Sequence, residues 1–472
     1  MVTSRFVGRQ RELGRLEGWL TKVRQSGNGR LLALRGRRQV GKSTLVEQFV
    51  QQSGTAHVFF TAAAGQAPAA ALADFGQLVA RSTLAGRDVA ASGTMSAWDQ
   101  ALDSATAGQL DPVIVVLDEV PWLIESDPSF EGLLQRVWDR ALRSRPVLLI
   151  LIGSDLAMME ALSAHGRPLY DRAELLRVDP LDPSDVAEIT GTVGRDSIEA
   201  SVLTGGFPNL LRSWPHGGGA RSFLREQLAD HETRFIIAGE RKLAAEFPST
   251  AFARPVLDAI GSGYREHSKI ATRTGLAPSS LERAVGILID KRAISKDSAY
   301  STARSKATLY RVADSHLQVW LRYVAPNLAA IERGAGDAVI SRVLDDWTAW
   351  RGRLIEPLVR ESVLRLAVRE AGGALTRAEH VGAWWRRDFS TEVDLVIGDK
   401  SPVANRVLAV GSIKWRERKP FDGHELAVLE RSRVLVPGAD DALMVAVSTS
   451  GFAPGLGLHR AWSPADLVAA WT

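Results

Sequence analysis

Cysteine is absent from the 472-residue chain. Its absence excludes disulfide bonds, thiolate catalysis and any zinc site with cysteine ligands. Long apolar runs are absent too, since no segment approaches the roughly 18 consecutive apolar residues that a membrane-spanning helix needs. The opening segment MVTSRFVGRQRELGRL is charged throughout, so we expect no secretory signal there. These absences favour a cytoplasmic protein without a membrane partner.

A strong net charge is also missing. Lys and Arg number 58 and Asp and Glu number 54, which gives a formal charge of +4. The excess is concentrated in residues 241–335, where 15 basic and 8 acidic residues give +7. A basic segment of this kind is either a contact surface for nucleic acid or an arginine-rich face exposed to water. The composition leaves both interpretations open.

The strongest motif lies between residues 31 and 50. The apolar run Leu31–Leu34 leads into GRRQVGKS, and a helical pattern of apolar residues follows. This order of strand, glycine-containing loop and helix is the context in which G-x-x-x-x-G-K-[ST] binds phosphate. Gly36 and Gly41 allow the backbone to approach closely, and the amides at the start of the helix face the anion.

The side chains of this motif predict a nucleotide together with a metal ion. Lys42 is expected to reach the β- and γ-phosphates, and Ser43 is expected to bind Mg²⁺. Thr44 follows them in the same nucleotide-binding segment. The chain contains no Asn-Lys-x-Asp motif, which would indicate guanine. We therefore expect ATP or ADP with Mg²⁺ as cofactors.

Two later apolar runs predict the rest of the nucleotide site. Val113–Leu117 is typical of a parallel strand buried on both faces, and it ends in Asp118 and Glu119. Asp118 is expected to hold Mg²⁺, and Glu119 is expected to polarise the attacking water as a general base. The next run, residues 147–152, ends near Ser154. This serine is either a sensor of the γ-phosphate or the N-cap of the following helix.

The basic segment 241–335 predicts three helices and a hairpin. The helices are expected at about 252–262, at 268–275, and from a cap at Ser279 or Ser280 onward. A short helix, a glycine-containing turn and a longer helix form a helix-turn-helix, and the hairpin would be its wing. The third helix is expected to bury Leu281, Val285, Leu288 and Ile289. The expected tip of the wing carries two basic residues, Arg304 and Lys306.

Four polar residues stand out in segment 340–472. Glu356 falls on a helical pattern, and Asp394 lies in an alternating strand pattern. Lys414 follows the apolar run 407–410. Two positions before the lysine, where the strand of a metal-dependent nuclease often carries an acid, this chain has Ser412.

These motifs together resemble the archaeal-type ATPases of the STAND-related branch of the AAA+ P-loop NTPases. Such proteins join an ATPase core to a winged helix and to a C-terminal domain related to PD-(D/E)xK nucleases. The resemblance covers nearly the whole chain. It implies that Phe6 and Arg9 pack beside the adenine and that Arg172 lies near the γ-phosphate. It also implies that the turn from Gly206 to Pro208 closes over the nucleotide from a lid.

The same resemblance implies a nuclease-like site at the four C-terminal residues. In such nucleases the acids bind Mg²⁺ and the lysine helps to place the attacking water. Ser412 occupies the remaining acidic position, and a neutral hydroxyl is a poor ligand for a hard dication. We therefore expect a degenerate site, for which Glu392 or Glu417 are the candidate replacement ligands.

We predict an α/β protein with a P-loop NTPase core at 1–180 and a helical lid at 181–240. A winged-helix domain is expected at 241–335 and a small α/β restriction-nuclease-like domain at 340–472. The predicted function is that of an ATP-binding, slowly hydrolysing switch that acts on double-stranded DNA. One alternative is a STAND-type signalling scaffold whose nucleotide state controls homo-oligomerisation and binding of a protein partner. The other is an active, ATP-regulated, metal-dependent DNA endonuclease.

Overall fold

The computed structural model describes residues 6–92, 95–154, 156–162, 164–249, 251–370 and 372–472. The chain divides into two compact units, of which the first ends at Leu181 and the second begins at Asp182. The boundary expected between core and lid at 180/181 lies within one residue of this division. The segments expected for the lid, the winged helix and the nuclease-like domain all belong to the second unit. No helix among the described residues is long and apolar enough to cross a membrane.

A five-stranded sheet forms the centre of the first unit. Its strands are β1 (Arg30–Arg35), β2 (His57–Thr61), β3 (Val113–Asp118), β4 (Val147–Gly153) and β5 (Ala173–Arg177). They stand in the order β2-β3-β4-β1-β5, and every neighbouring pair is parallel. β3 and β4 are buried along their whole length, as their continuous apolar runs predict. The predicted α/β fold with a parallel sheet is therefore confirmed.

Helices accompany this sheet along the chain. They are α1 (Gln10–Ser26), α2 (Lys42–Ser53), α3 (Pro68–Ala80), α4 (Arg87–Ser92), α5 (Trp98–Thr106), α6 (Val120–Ser126), α7 (Phe130–Arg140) and α8 (Leu156–Leu162), with a 3₁₀ turn at Leu142–Ser144. Four aromatic rings with neighbouring centroids 5.2–5.9 Å apart form part of the core: Phe60, Phe75, Trp98 and Phe130. Because β4 lies between β1 and β3, the loops after these three strands meet at the carboxyl edge of the sheet.

The second unit begins with helices and a hairpin. The first helices are α9 (Pro183–Thr190), α10 (Arg195–Thr204), α11 (Pro208–Leu211), α12 (Ala220–Leu228) and α13 (Arg234–Glu246). They are followed by α14 (Arg254–Gly261), α15 (His267–Thr274), α16 (Pro278–Asp290) and the antiparallel strands β6 (Ile294–Ser298) and β7 (Thr308–Val312). Three helices and a hairpin thus stand where the sequence predicts them, and their assignment as a winged helix stays a prediction.

Two details of α16 differ from the prediction. The N-cap is Ala277, and Pro278 is the first helical residue, so neither predicted serine caps the helix. Proline suits this position because its missing N–H would have no partner within the helix in any case. Ile289 is 38% exposed, and Ala284 lies in the buried stripe with Leu281, Val285 and Leu288. The stripe follows helical spacing, which turns Ile289 about 100° away from Leu288.

The last third of the chain forms a second sheet beside a long helix. Its helices are α17 (Ser315–Val319), α18 (Leu328–Glu332), α19 (Gly336–Arg369), α20 (Gly423–Arg433) and α21 (Pro464–Ala469), with a π turn at Trp320–Val324 and a 3₁₀ turn at Ala325–Asn327. Its strands are β8 (His380–Trp385), β9 (Glu392–Gly398), β10 (Val407–Lys414), β11 (Leu443–Ser448) and β12 (Arg460–Trp462). They stand in the order β12-β11-β10-β9-β8, antiparallel from β8 to β10 and parallel from β10 to β12.

The loop of the β6–β7 hairpin packs against this second sheet. The amide of Tyr300 donates to the carbonyl of Ala383 at 2.8 Å, and its ring belongs to the same apolar core as the sheet. A Cβ at Gly382 would lie 2.6 Å from Tyr300, so this contact needs a glycine in β8. The amide of Thr302 also donates to the Pro437 carbonyl at 3.3 Å. The loop of the hairpin is therefore bonded to the C-terminal sheet, while its strands contact α14, α15 and α16.

Candidate functional site

The loop from Gly36 to Gly41 joins β1 to α2. Gly41 caps α2 with a φ of 90°, a conformation that side chains with a Cβ rarely adopt. Gly36 is required for a different reason, because a Cβ there would lie 2.3 Å from the carbonyl oxygen of Val178. Gln39 also has a positive φ, of 65°. The glycines thus permit a tight loop whose amides lead directly into the first turn of α2.

Lys42 is the first residue of α2, and its side chain is buried against this loop. Its Nζ donates to the carbonyl oxygens of Gly36 at 2.8 Å and Arg37 at 3.0 Å. Burial lowers the pKa of Lys42 to about 8, against the opposing effect of the nearby carboxylates Glu119 and Asp118. An ammonium that has lost most of its water gains from an anionic partner. The geometry therefore suits a phosphate bound by the loop.

Ser43 and Asp118 meet at the carboxyl edge of the sheet. The Ser43 hydroxyl donates to Oδ2 of Asp118 at 2.7 Å, and the amide of Glu119 donates to Oδ1 at 2.9 Å. Burial raises the pKa of Asp118, which is 4% exposed. Mg²⁺ in nucleotide sites is held by such a hydroxyl and a carboxylate together with phosphate oxygens and water. The two side chains fit the predicted metal ion.

Glu119 and Ser154 meet beside this pair because β3 and β4 are neighbours. The Ser154 hydroxyl donates to Oε2 of Glu119 at 2.9 Å. Glu119 caps α6 with φ 56° and ψ 43°, a left-handed conformation that is strained for a residue with a side chain and is found at functional sites. The alternative role of Ser154 as a helix cap depends on residue 155, which lies outside the described residues.

The opening segment is attached to the phosphate loop through Arg9. Its side chain is buried, and Nη2 donates to the carbonyl of Val40 at 2.9 Å while Nη1 lies 3.1 Å from Glu12. Phe6 is half-buried, and Thr44 is exposed in the first turn of α2. Arg9 therefore supports the loop from outside. The predicted contacts of Phe6 and Arg9 with adenine stay predictions.

Arg172 lies at the opposite edge of the sheet. It directly precedes β5, whose first residue Ala173 pairs with Leu31 near the start of β1. The phosphate loop begins after the other end of β1, roughly 15–20 Å further along the strand. The Arg172 guanidinium forms a bidentate pair with Asp139 at 2.8 and 2.9 Å and lowers the pKa of that carboxyl. The prediction that Arg172 approaches the γ-phosphate in this site is therefore wrong.

The turn from Gly206 to Pro208 belongs to the second unit. Pro208 is the first residue of α11, and Gly206 has a φ of 68°. Phe207 is buried between them, and Nζ of Lys242 lies 3.5 Å from the centre of its ring. Lys242 also pairs with Asp314 at 2.8 Å. The turn is thus fixed to α13 and to the start of α17, and its closure over a nucleotide stays a prediction.

Beside the second sheet, Glu356 of α19 and Asp394 of β9 come together around Arg360, which the sequence analysis missed. Nη2 of Arg360 lies 2.8 Å from Oε2 of Glu356, and its Nε donates to the main-chain carbonyl of Asp394 at 2.9 Å. Ser412 donates to Oδ2 of Asp394 at 3.0 Å. Burial raises the pKa of Glu356 to about 7 against the pull of Arg360, and the neighbouring Asp394 and Glu392 raise it further. The Glu-x-x-x-Arg spacing was the available signal for this contact.

Lys414 pairs with a carboxylate outside the group of Glu356 and Asp394. Its Nζ lies 2.8 Å from Oε2 of Glu425 on α20, a second residue that the sequence analysis missed. Glu417 lies 3.2 Å from Arg195 and 3.4 Å from Arg351, so the suggestion that it replaces the missing acid is wrong. Within the described ranges, no three His, Asp or Glu side chains form a group that could hold a metal ion. The residues present do not fit a metal bound by protein ligands alone.

Comparison with known proteins relates the first part of the chain to a known family. Residues 6–212 match a family described as an ATPase domain predominantly from Archaea. This part of the chain is thus similar to an archaeal-type ATPase domain. Residues 320–426 match a second family, described as archaeal and bacterial proteins of unknown function. The ATPase match extends past Asp182 and includes the turn from Gly206 to Pro208.

Individual proteins are similar to this chain over most of its length. The uncharacterized protein MJECL04 of Methanocaldococcus jannaschii is 26% identical over 429 residues, which make up 88% of this chain and 89% of the relative. Among solved structures, the Walker-type ATPase PABY2304 of Pyrococcus abyssi is 18% identical to this chain, with a TM-score of 0.46. The match covers 67% of this chain and 96% of the PABY2304 chain. The ORC2 protein of Aeropyrum pernix is 14% identical, with a TM-score of 0.46. This match covers 73% of this chain and 97% of the ORC2 chain.

Proposed function

We propose that the protein binds ATP with Mg²⁺ and hydrolyses it slowly as a conformational switch. The observation that carries this proposal is the meeting of two side-chain pairs beside Lys42. One pair is Ser43 with Asp118 at 2.7 Å, and the other is Ser154 with Glu119 at 2.9 Å. They follow the ends of β1, β3 and β4, which are neighbours in the order β2-β3-β4-β1-β5.

Each side chain has a separate task in this proposal. Lys42 and the loop amides bind the phosphates, and Ser43 and Asp118 hold the metal ion, which neutralises charge on the phosphoryl group. Glu119 orients and polarises the attacking water. Ser154 donates to Oε2 of Glu119 and orients its carboxylate. A carboxylate has further acceptor sites, so it can hold the attacking water at the same time.

The test separates nucleotide binding from hydrolysis. Lys42→Ala removes the buried ammonium, and we expect it to abolish ATP binding or hydrolysis. A fluorescent ATP analogue measures binding, and phosphate release measures turnover. If purified and folded Lys42→Ala hydrolyses ATP at the wild-type rate, this site is not the ATPase site.

We further propose that the switch acts on double-stranded DNA through α15 and α16. The net charge of +7 in residues 241–335 supports this. Exposed basic side chains lie on these helices, namely Lys269, Arg273 and Arg283. The loop around Arg304 and Lys306 is bonded to the C-terminal sheet domain, so any phosphate contact by this loop would involve that domain as well.

DNA binding should therefore depend on salt and on the helix arginines. The double variant Arg273→Gln/Arg283→Gln should weaken binding and reduce the slope of log K against log salt by about one to two. The matched control is Arg304→Gln/Lys306→Gln, which removes the same charge from the hairpin loop. Fluorescence anisotropy with and without ATP measures both. Binding that is absent at 50 mM salt would contradict the proposal.

The alternative is a signalling scaffold whose nucleotide state controls oligomerisation and protein partners. It is favoured by one observation, that the acids of the second sheet are paired internally and that no described group there could hold a metal ion. Light scattering with ATP, ADP and no nucleotide tests it. A nucleotide-dependent oligomer together with absent DNA binding would favour the scaffold over the DNA-acting switch.

A further inference from the structure

We propose that Arg360 is the built-in cation of the acidic site in the second sheet and that it excludes divalent metal ions. The inference concerns the C-terminal domain and does not depend on ATP hydrolysis. It rests on the contacts that Arg360 makes with two elements at once, the helix α19 and the strand β9.

The guanidinium joins the two acidic residues of the site. Arg360 follows Glu356 by one helical turn, and Nη2 lies 2.8 Å from Oε2 of Glu356. Its Nε donates to the main-chain carbonyl of Asp394 at 2.9 Å. The side chains of Arg360 and Glu356 are only 15% and 17% exposed. A buried carboxylate needs a cationic partner, and here the chain itself supplies it.

The carboxylate of Asp394 is also less available as a metal ligand, because one of its oxygens already accepts hydrogen bonds. Its Oδ2 accepts hydrogen bonds from the Ser412 hydroxyl at 3.0 Å and from the Ile413 amide at 2.8 Å. A divalent cation prefers about six to eight oxygen ligands, several of them anionic. It would have to compete with these two donors and approach a fixed positive charge on Arg360. Two features therefore oppose a metal ion, the serine and the arginine.

Glu–Arg pairs four residues apart on a helix are common and contribute little when exposed. The same helix supplies a more exposed pair, Glu361 and Arg365 at 3.1 Å with side chains 47% and 35% exposed. The Arg365 guanidinium also lies 3.9 Å from the centre of the Trp471 ring. Arg360 differs from Arg365 by its burial and by its bond to the neighbouring strand. Arg365 is therefore the matched control for a test of Arg360.

The experiment measures metal binding directly. The full-length protein carries Asp118→Asn, which weakens the metal position of the nucleotide site, and contains no nucleotide. Mn²⁺ is titrated by calorimetry and by electron spin resonance. Ser412→Glu alone should bind Mn²⁺ weakly. Adding Arg360→Gln should tighten binding by about tenfold or more, because a repelling charge is removed and Glu356 is released. Adding Arg365→Gln instead should change nothing.

Three further variants keep the test decisive. Asp394→Asn in the tightly binding protein should remove the gained site, which locates the ion. If Arg360→Gln fails to fold by circular dichroism, Arg360→Met preserves the length of the side chain without its charge and takes its place. Arg360→Lys in the Ser412→Glu protein keeps the charge and should bind Mn²⁺ as weakly as Ser412→Glu alone.

Several results would overturn the inference. One is Mn²⁺ binding to Ser412→Glu that is as tight as in the double variant, since Arg360 would then be no barrier. Another is a folded double variant with no added Mn²⁺ site. A third is stoichiometric binding to the protein with native Arg360 and Ser412 that disappears in Asp394→Asn, since the site would then admit a metal beside Arg360.

Discussion

The close packing beneath the phosphate loop predicts a large effect from the smallest possible change, Gly36→Ala. The new Cβ would lie 2.3 Å from the Val178 carbonyl oxygen, whereas carbon–oxygen contacts are ordinarily about 3.3 Å or longer. Val178 cannot retreat freely because its amide donates to the carbonyl of Arg35 at 2.8 Å. The loop must therefore shift by about 1 Å, and a misplacement of this size can reduce a rate about 100-fold.

We expect Gly36→Ala to fold but to lose ATP turnover by roughly 10- to 100-fold. Phosphate release at saturating ATP and Mg²⁺ measures the rate, and thermal unfolding verifies the fold. The control is Gly14→Ala in α1, where a Cβ meets no atom within 4 Å. That change should leave turnover unaltered and stabilise the helix by up to about 1 kcal/mol. Wild-type turnover in Gly36→Ala would refute the reasoning that this close contact shapes the loop.

Three further perturbations test other parts of the structure. Because burial lowers the pKa of Lys42 to about 8, its ammonium is lost as the pH rises through that value. ATP affinity should therefore fall between pH 7 and pH 9.5 in a binding titration, and a flat profile would contradict this assignment. Ser154→Ala leaves Glu119 without its hydroxyl donor and should slow turnover roughly tenfold, while unchanged phosphate release would show that the contact is dispensable. Arg351→Ala removes one of the two arginines beside the buried Glu199, which keeps Arg195 at 2.9 Å; it should destabilise the second unit by about 1–3 kcal/mol in urea unfolding, whereas unchanged stability would contradict a buried role.

The sequence is sufficient to predict the parallel sheet and the residues that lie at its carboxyl edge. Continuous apolar runs predict strands buried on both faces, and polar residues that follow such strands share one edge. This local rule places Lys42, Asp118 and Glu119 near one another without knowledge of the strand order. Arg172 precedes its strand and therefore lies at the other edge of the sheet. Its predicted place near the γ-phosphate came from the family resemblance and not from this rule.

Contacts between distant segments could not be predicted from the sequence. The packing of Tyr300 against Gly382 joins the loop of a hairpin to a sheet some 80 residues later. No periodicity in either segment predicts this contact. The spacing of Glu356 and Arg360 was visible, but the same spacing occurs in Glu361 and Arg365. Only the structure shows that the first pair is mostly buried and bonded to β9, whereas the second pair is more exposed.

The most direct test of the central claim is ATP binding and turnover by Glu119→Gln in one preparation. The substitution keeps the shape of the side chain and a hydrogen-bonding oxygen for Ser154, but it removes the carboxylate that polarises water. We predict ATP affinity close to wild type together with a loss of hydrolysis of roughly 10²–10⁴-fold. Turnover at the wild-type rate, with ATP still bound, would contradict the account, because another residue would then orient the attacking water.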